Sequence, residues 1–313
     1  MSLLCGEALG DLFVAEAGQE GELPARAIAG GSPTNVAVGL ARLRAQAGFF
    51  GGINIDAFGR FPMQRLSAEG VGAGLVKRSP APTPLVVVAN GPDGQPGYAF
   101  HASGCAYAAL TAGDLPGHLP QVVAALALGS FSHAAEPAGS TLLTLAKREA
   151  GRVVIGLDPN VRPAPTDDMA AWRSRFARFA RTATLIKLST EDVALGWGPQ
   201  ADAAALAAEW LSGGTAMVVV TRGADGATAH HACGMVRKPG RAVIVAGTFH
   251  AAPLAWLGQA DAIGCSRVAG LDRAGLQQML RYAVLVASIA CTRPGANLPQ
   301  ATDLLAAQIA TKA

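Results

Sequence analysis

Five stretches carry side chains whose type and spacing could do chemistry. Gly30-Gly31-Ser32-Pro33-Thr34-Asn35 puts two flexible residues and an amide at the mouth of a predicted helix. Glycine lets a ligand approach the backbone, and Asn35 offers both donor and acceptor to a hydroxyl. Read as structure alone, the same stretch is an ordinary capped helix start, with Ser32 as cap and Pro33 in the first helical position. Asp158-Pro159-Asn160-Val161-Arg162 gathers a carboxylate, an amide and a guanidinium. Arg162 could hold phosphate, or it could form a surface ion pair. Lys187-Leu188-Ser189-Thr190-Glu191-Asp192 sets a cation before a helix and acids in its first turn. Those acids suit the helix dipole, and they could also organise Mg²⁺ through water. Thr221-Arg222-Gly223-Ala224-Asp225-Gly226 could wrap a phosphate or simply turn a hairpin into Ala227–His231. In Val243–Ala252 a β-branched run meets Gly247-Thr248 and passes into a small-residue helix, where free N–H groups and the helix dipole favour an anion.

The elements that must position these groups follow from periodicity. Strands are predicted at Leu3–Ala8, Phe49–Ile53, Leu126–Phe131, Val153–Leu157, Thr184–Leu188 and Met217–Thr221. Helices are predicted from Val36, at Gln64–Glu69, Ser140–Ala150, Met169–Arg181, Ala201–Leu211, Ala274–Ala290 and Pro299–Thr311. Pro84–Ala89 and Gly97–His101, separated by Gly91-Pro92-Asp93-Gly94, read as a hairpin of a small separate sheet. Steady alternation of strand and helix predicts a mostly parallel sheet with helices on both faces, and ligands at the carboxyl ends of its strands. Asp11, after the first strand, falls in that zone.

Composition narrows the class. Of 313 residues, 50% are hydrophobic and 15% charged, which suits one α/β domain with a well-buried core. A net charge of +3 without a long basic run disfavours nucleic-acid and membrane partners. Five scattered cysteines with no C-x-x-C pair, and no charged-then-apolar leader pattern, point to a cytoplasmic protein with reduced thiols. His230-His231 has no further ligands at metal spacing, and Cys105 and Cys291 have no base near them in sequence.

In order, these pieces resemble the ribokinase-like (PfkB) carbohydrate kinases, in particular their fructokinase-like branch. The matching stretches are Cys5–Asp11, Gly30–Leu43, Asp56–Gly59, Leu157–Pro163, Ile186–Asp192, Thr221–Gly226, Thr248–Ala252 and Cys291–Asn297. The resemblance implies a three-layer α/β/α fold over residues 1–313, with a small β-sheet lid formed in part by 84–101. It implies phosphoryl transfer from ATP to a sugar hydroxyl, with fructose the leading candidate. Asp11, Gly30, Gly31 and Asn35 would bind the sugar, and Arg162 would lie near the transferred phosphate. Lys187, Thr221, Gly223, Gly226 and Asn297 would approach ATP, and Asp192 would relate indirectly to Mg²⁺. A monovalent cation and a homodimer are further family features.

The chain departs from the family's Asp-Thr-x-Gly-Ala-Gly-Asp-Thr-Phe signature, which is truncated here at Ala246-Gly247-Thr248. Gly247 and Thr248 remain as edges of an anion hole. No acid stands between Arg241 and Gln259 to serve as the base. A non-catalytic sugar- or nucleotide-binding relative, and a kinase of nucleosides or other sugars, are therefore the alternatives. Pro253 would cost on the order of 3 kcal/mol inside a helix begun at Thr248, and a later helix start removes that cost.

Overall fold

The computed structural model describes residues 1–15, 21–90, 96–162, 168–240, 249–293 and 297–310. Among them the strands are β1 (Ser2–Cys5), β2 (Leu9–Val14), β3 (Ala25–Gly30), β4 (Ala47–Phe50), β5 (Gly52–Asn54), β6 (Lys77–Ser79), β7 (Leu85–Asn90), β8 (Pro96–His101), β9 (Ala125–Gly129), β10 (Val154–Asp158), β11 (Leu185–Ser189), β12 (Met217–Thr221), β13 (Ala227–His231) and β14 (Gly234–Lys238).

Eight of these strands form the main sheet in the order β14-β13-β12-β11-β10-β9-β1-β4. The pairs from β4 to β12 are parallel, while β12–β13 and β13–β14 are antiparallel. Successive side chains leave a strand on opposite faces, and the core divides accordingly. Leu4, Ala127, Val154 and Val219 join one hydrophobic cluster, with Val36, Leu40, Leu254 and Leu280 from helices. Leu3, Leu126, Ile155 and Val218 join the other, with Leu142, Leu145, Phe176 and Ala207. Helices Ser32–Arg42, Ala251–Gln259 and Arg273–Ala290 thus cover one face, and Ala138–Glu149, Met169–Ala180 and Ala203–Ser212 the other. The expected three-layer α/β/α arrangement is present.

A second sheet, β3-β2-β7-β8, stands apart from the first, and the expected hairpin supplies its β7 and β8. The Gly91–Gly94 loop lies outside the described residues. Several sequence expectations need correction. The first strand ends at Cys5, where Gly6 takes φ +150°, and the chain re-forms as β2 in the second sheet. Asp11 therefore sits inside a strand rather than in a loop. Phe49–Ile53 is two strands in different sheets, split at Gly51, where a side chain would collide with the Gly6 carbonyl. The helix expected at Gln64–Glu69 spans Ala57–Ala68, because the Asp56 side chain caps the Gly59 N–H at 2.9 Å despite Pro62 inside it. The helix expected to begin near Thr248 begins at Ala251, so Pro253 falls in its first turn, where no hydrogen bond is lost.

The open edges of the main sheet differ. Beside β4, Gly72 closes the edge by donating to the Ala47 carbonyl at 2.9 Å and accepting from Phe49 at 2.8 Å. At the other edge β14 buries Val236 and exposes Met235 and Arg237.

Candidate sugar and nucleotide site

Three parallel strands, β1, β9 and β10, end side by side, and each passes into a polar loop. Glu7 follows β1, Ser130 follows β9, and Asn160 and Arg162 follow β10. Two departures from ordinary backbone shape this corner. Ser130 and Asn160 adopt positive φ of 55° and 39°, an uncommon conformation for residues other than glycine. Gly129 fits against Asp158, whose carbonyl a side chain at that position would strike.

Opposite them stands the helix start at Ser32. Gly31, not Ser32, is the cap residue, with φ 99° and no side-chain cap bond. A Cβ on Gly31 would lie 2.6 Å from the Glu7 carbonyl, so the close approach dictates the glycine and moves the cap by one residue. Gly30 is also required, since a side chain there would run into the Asp11 carboxyl. The strand ends and the helix start enclose a cleft of about 170 Å³, roofed by Val86, Tyr98 and Phe100 of the second sheet. That is below the roughly 300–1,000 Å³ of drug-sized pockets and suits a small molecule.

The polar groups of this cleft are under-satisfied in one sense only. Oε1 of Glu7 and Oδ1 of Asn35 are buried acceptors without a hydrogen-bond partner. Ser132 Oγ donates to Glu7 Oε2, and Thr34 Oγ1 donates to the Glu7 carbonyl at 3.2 Å. Burial pushes the Glu7 carboxyl up to about 7, against the opposing pull of the Ser132 and Ser130 hydroxyls. Burial also raises Asp11 to about 6, with Arg65 opposing. The structure thus brings Asp11, Gly31, Asn35 and Arg162 to one cleft, with Gly30 beside it. Sequence reasoning missed Glu7, Ser130 and the aromatic roof. The signal for Glu7 was a lone acid at the end of an apolar run.

Behind the cleft lies a buried charged web. Lys187 sits within β11, as the strand expected at Thr184–Leu188 implies, fully buried, with Nζ 3.1 Å from Asp158 Oδ2. Burial raises Asp158 to about 6, with Lys187 opposing. Asp192 is spent on structure. Its oxygens receive the Val161 N–H, the Ser189 N–H and the Ser189 hydroxyl, each at 2.7 Å. No group of three or more His, Cys, Asp or Glu among the described residues could hold a metal. With its oxygens taken by these N–H and hydroxyl donors, Asp192 does not fit a direct Mg²⁺ ligand. His250, at the start of helix Ala251–Gln259, packs on Gly156, and burial and then Lys187 pull its imidazole down to about 3.

The predicted phosphate loop is a hairpin turn. Arg222 N–H donates to the Gly226 carbonyl at 2.8 Å, and Thr221 Oγ1 donates to the Leu188 carbonyl at 3.4 Å. Gly223 and Gly226 have φ of 53° and 88°. One atom stands out: Arg222 Nε is a buried donor without a partner. The sequence reading named its neighbours and passed over it. Asn297 accepts from Arg42, in the last turn of helix Ser32–Arg42. Gly247 and Thr248 lie outside the described residues.

The family profile described as pfkB family carbohydrate kinase matches residues 25–303. A fructokinase of Rhizobium leguminosarum bv. trifolii is 36% identical over 286 residues, covering 88% of this chain and 86% of the relative. A fructokinase of Klebsiella pneumoniae is 30% identical, with 96% of each chain covered. Among solved structures, a Xylella fastidiosa fructokinase superposes with a TM-score of 0.87 at 25% identity, covering 97% of each chain. A Vibrio cholerae fructokinase, in a form with fructose, ADP and potassium bound, gives 0.80 at 25% identity, again with 97% of each chain covered.

Proposed function

The chain belongs to the pfkB family of carbohydrate kinases and is an ATP-dependent sugar kinase, and from that premise we propose that fructose is its acceptor and that the cleft at Asn35 is where it binds. One observation carries the reading: two buried acceptors, Glu7 Oε1 and Asn35 Oδ1, stand unpartnered beside Asp11. A buried acceptor without a donor costs about 1–3 kcal/mol, and a polyol offers donors at several positions. Gly30 and Gly31 let the backbone approach the sugar. The whole chain acts as one kinase domain, with the second sheet as its lid over the sugar.

ATP enters from the β11–β12 side, with phosphate oxygens accepting from Arg222 and from the turn Gly223–Gly226, which Thr221 and the Lys187–Asp158 pair brace from below. Arg162 holds the phosphoryl group in transfer, and Gly247 and Thr248 form the edge of the anion hole. Asn297 would meet the adenine only on leaving Arg42. Potassium, bound in the Vibrio cholerae relative, is the monovalent cation to test. Five unbridged cysteines suit a cytoplasmic setting.

The test is ADP release across a panel of fructose, glucose, ribose and a nucleoside, paired with calorimetry for fructose and ATP. Fructose is expected to give the highest kcat/KM. Binding of both ligands without turnover would instead make the chain a non-catalytic relative, the reading that the truncated Ala246-Gly247-Thr248 signature favours. Faster turnover of the nucleoside or of another sugar would reassign the acceptor.

A further inference from the structure

A sugar kinase needs a group to take the proton of the attacking hydroxyl, and this chain has no acid anywhere from 242 to 258, where relatives place one. We propose that Glu7 is that proton acceptor, with Oε1 receiving the proton of the acceptor hydroxyl. The proposal rests on the sugar-kinase reading above, and it adds a role that reading leaves empty.

Three acids stand near enough to be weighed. Asp158 has both oxygens engaged, Oδ2 by Lys187 at 3.1 Å and Oδ1 by the Asn160 N–H at 3.2 Å. Asp11 lies on β2 of the second sheet, partly exposed, with Arg65 as its cationic neighbour. Glu7 alone combines a fixed carboxyl with a spare oxygen. Ser132 holds Oε2, while Oε1 is buried and unpartnered, and Glu7 lines the cleft. Its place in the sheet is also the right one. β1 lies next to β9 and one strand from β10, so Glu7 and Arg162 follow neighbouring strand ends and line one cleft.

The step balances without a further reactant. The acceptor O–H bond breaks and its proton passes to Glu7 Oε1. The oxygen forms a bond to the γ-phosphorus, the bond from that phosphorus to the bridging oxygen breaks, and ADP leaves with the electron pair. The proton returns to solvent as product departs. Groups facing Glu7 are the hydroxyls of Ser130 and Ser132, the Ser32 N–H and the Tyr107 phenol, with Asp11 and Arg162 on the same cleft. Held at about 7, Glu7 is half-ionised near neutrality, where a general base works best.

The experiment is the pH profile of kcat for the wild-type chain, Glu7→Gln, Ser132→Ala and Asp11→Asn, with whichever sugar the wild type phosphorylates. The wild type is expected to lose kcat below about pH 7. E7Q should lower kcat about 10²–10⁴-fold, leave the KM for ATP unchanged, and remove the acid limb from the residual rate. S132A keeps Glu7 but loses a hydrogen bond to its ionised form, so its acid limb should move up by about one pH unit. D11N should raise the sugar KM and keep the limb. Thermal unfolding and ATP calorimetry establish that each variant is folded. E7Q with kcat within threefold of wild type, or with a residual rate that still falls at the same pH, overturns the proposal. A wild type that phosphorylates a sugar other than fructose overturns only the fructose assignment. One that binds both ligands and turns over nothing overturns both.

Discussion

The cleft beside Glu7 and the turn after β12 leave opposite halves of a hydrogen bond unanswered. In the cleft the orphans are acceptors, Glu7 Oε1 and Asn35 Oδ1. In the turn the orphan is a donor, Arg222 Nε. Acceptors ask for hydroxyls and a cationic donor asks for phosphate oxygens, so the two regions sort the two substrates by chemistry. The remaining motif groups of the second region are answered from within: Thr221 by Leu188, Lys187 by Asp158, and Asp192 by Val161 and Ser189. Residues that resemble ligand groups in sequence can therefore be parts of the scaffold, and it is the unmet hydrogen bond that separates the two cases.

The largest effect expected from breaking this contrast is at Lys187. Lys187→Met leaves Asp158 in the interior without its cationic partner and should cost about 3–5 kcal/mol in urea unfolding. A variant that keeps its stability and loses only ATP affinity would move Lys187 from scaffold to substrate. Next is the pH dependence of Glu7. Its carboxyl is held up to about 7 against an ordinary 4.5, so both folded and unfolded chains are protonated below 4.5 and no penalty applies there. As pH rises to 7 the unfolded chain ionises first, and the native state loses stability on the order of 3 kcal/mol relative to E7Q, which stays neutral. Unfolding both proteins at pH 4, 5.5 and 7.5 measures that difference, and a constant difference would contradict a buried acid with an unanswered oxygen.

Smaller effects sharpen the contrast. Arg222→Met should raise the KM for ATP about tenfold, equivalent to about 1.4 kcal/mol, and leave the KM for sugar in place. A shift in the sugar constant instead would merge the two regions. Thr221→Val should cost only about 0.5–1 kcal/mol, the worth of its bond to the Leu188 carbonyl, with both Michaelis constants unchanged.

Much of the scaffold was legible because burial on two faces leaves a plain mark. The predicted strands Val153–Leu157, Thr184–Leu188 and Met217–Thr221 fall within one residue of β10, β11 and β12, since continuous apolar runs between helical periodicities fit only a covered parallel sheet. The strands β2 and β3 escaped notice because their residues are partly exposed and, in β3, mostly alanine and glycine, which weakens the alternation. In the site, Asp11, Gly31, Asn35 and Arg162 were found through local signals: glycines at a helix mouth and charges after strands. Glu7 was not, because what defines it is Ser132, 125 residues away, and a cleft that exists only once three strands are side by side. Lys187 falls inside the strand expected at Thr184–Leu188, but its ion pair is not legible in sequence, because only the register of β10 against β11 buries it beside Asp158.

The antiparallel end of the main sheet has a consequence for solution behaviour. A long parallel sheet would finish on a bare row of N–H and carbonyl groups, a template on which other chains can add strands. Among the described residues the outermost strand is short, turns a single apolar side chain, Val236, inward, and carries Arg237 and Lys238 along its rim. An incoming edge of the same kind meets like charge before it can pair. A chain that is half hydrophobic is thereby guarded against aggregation where its sheet is most open.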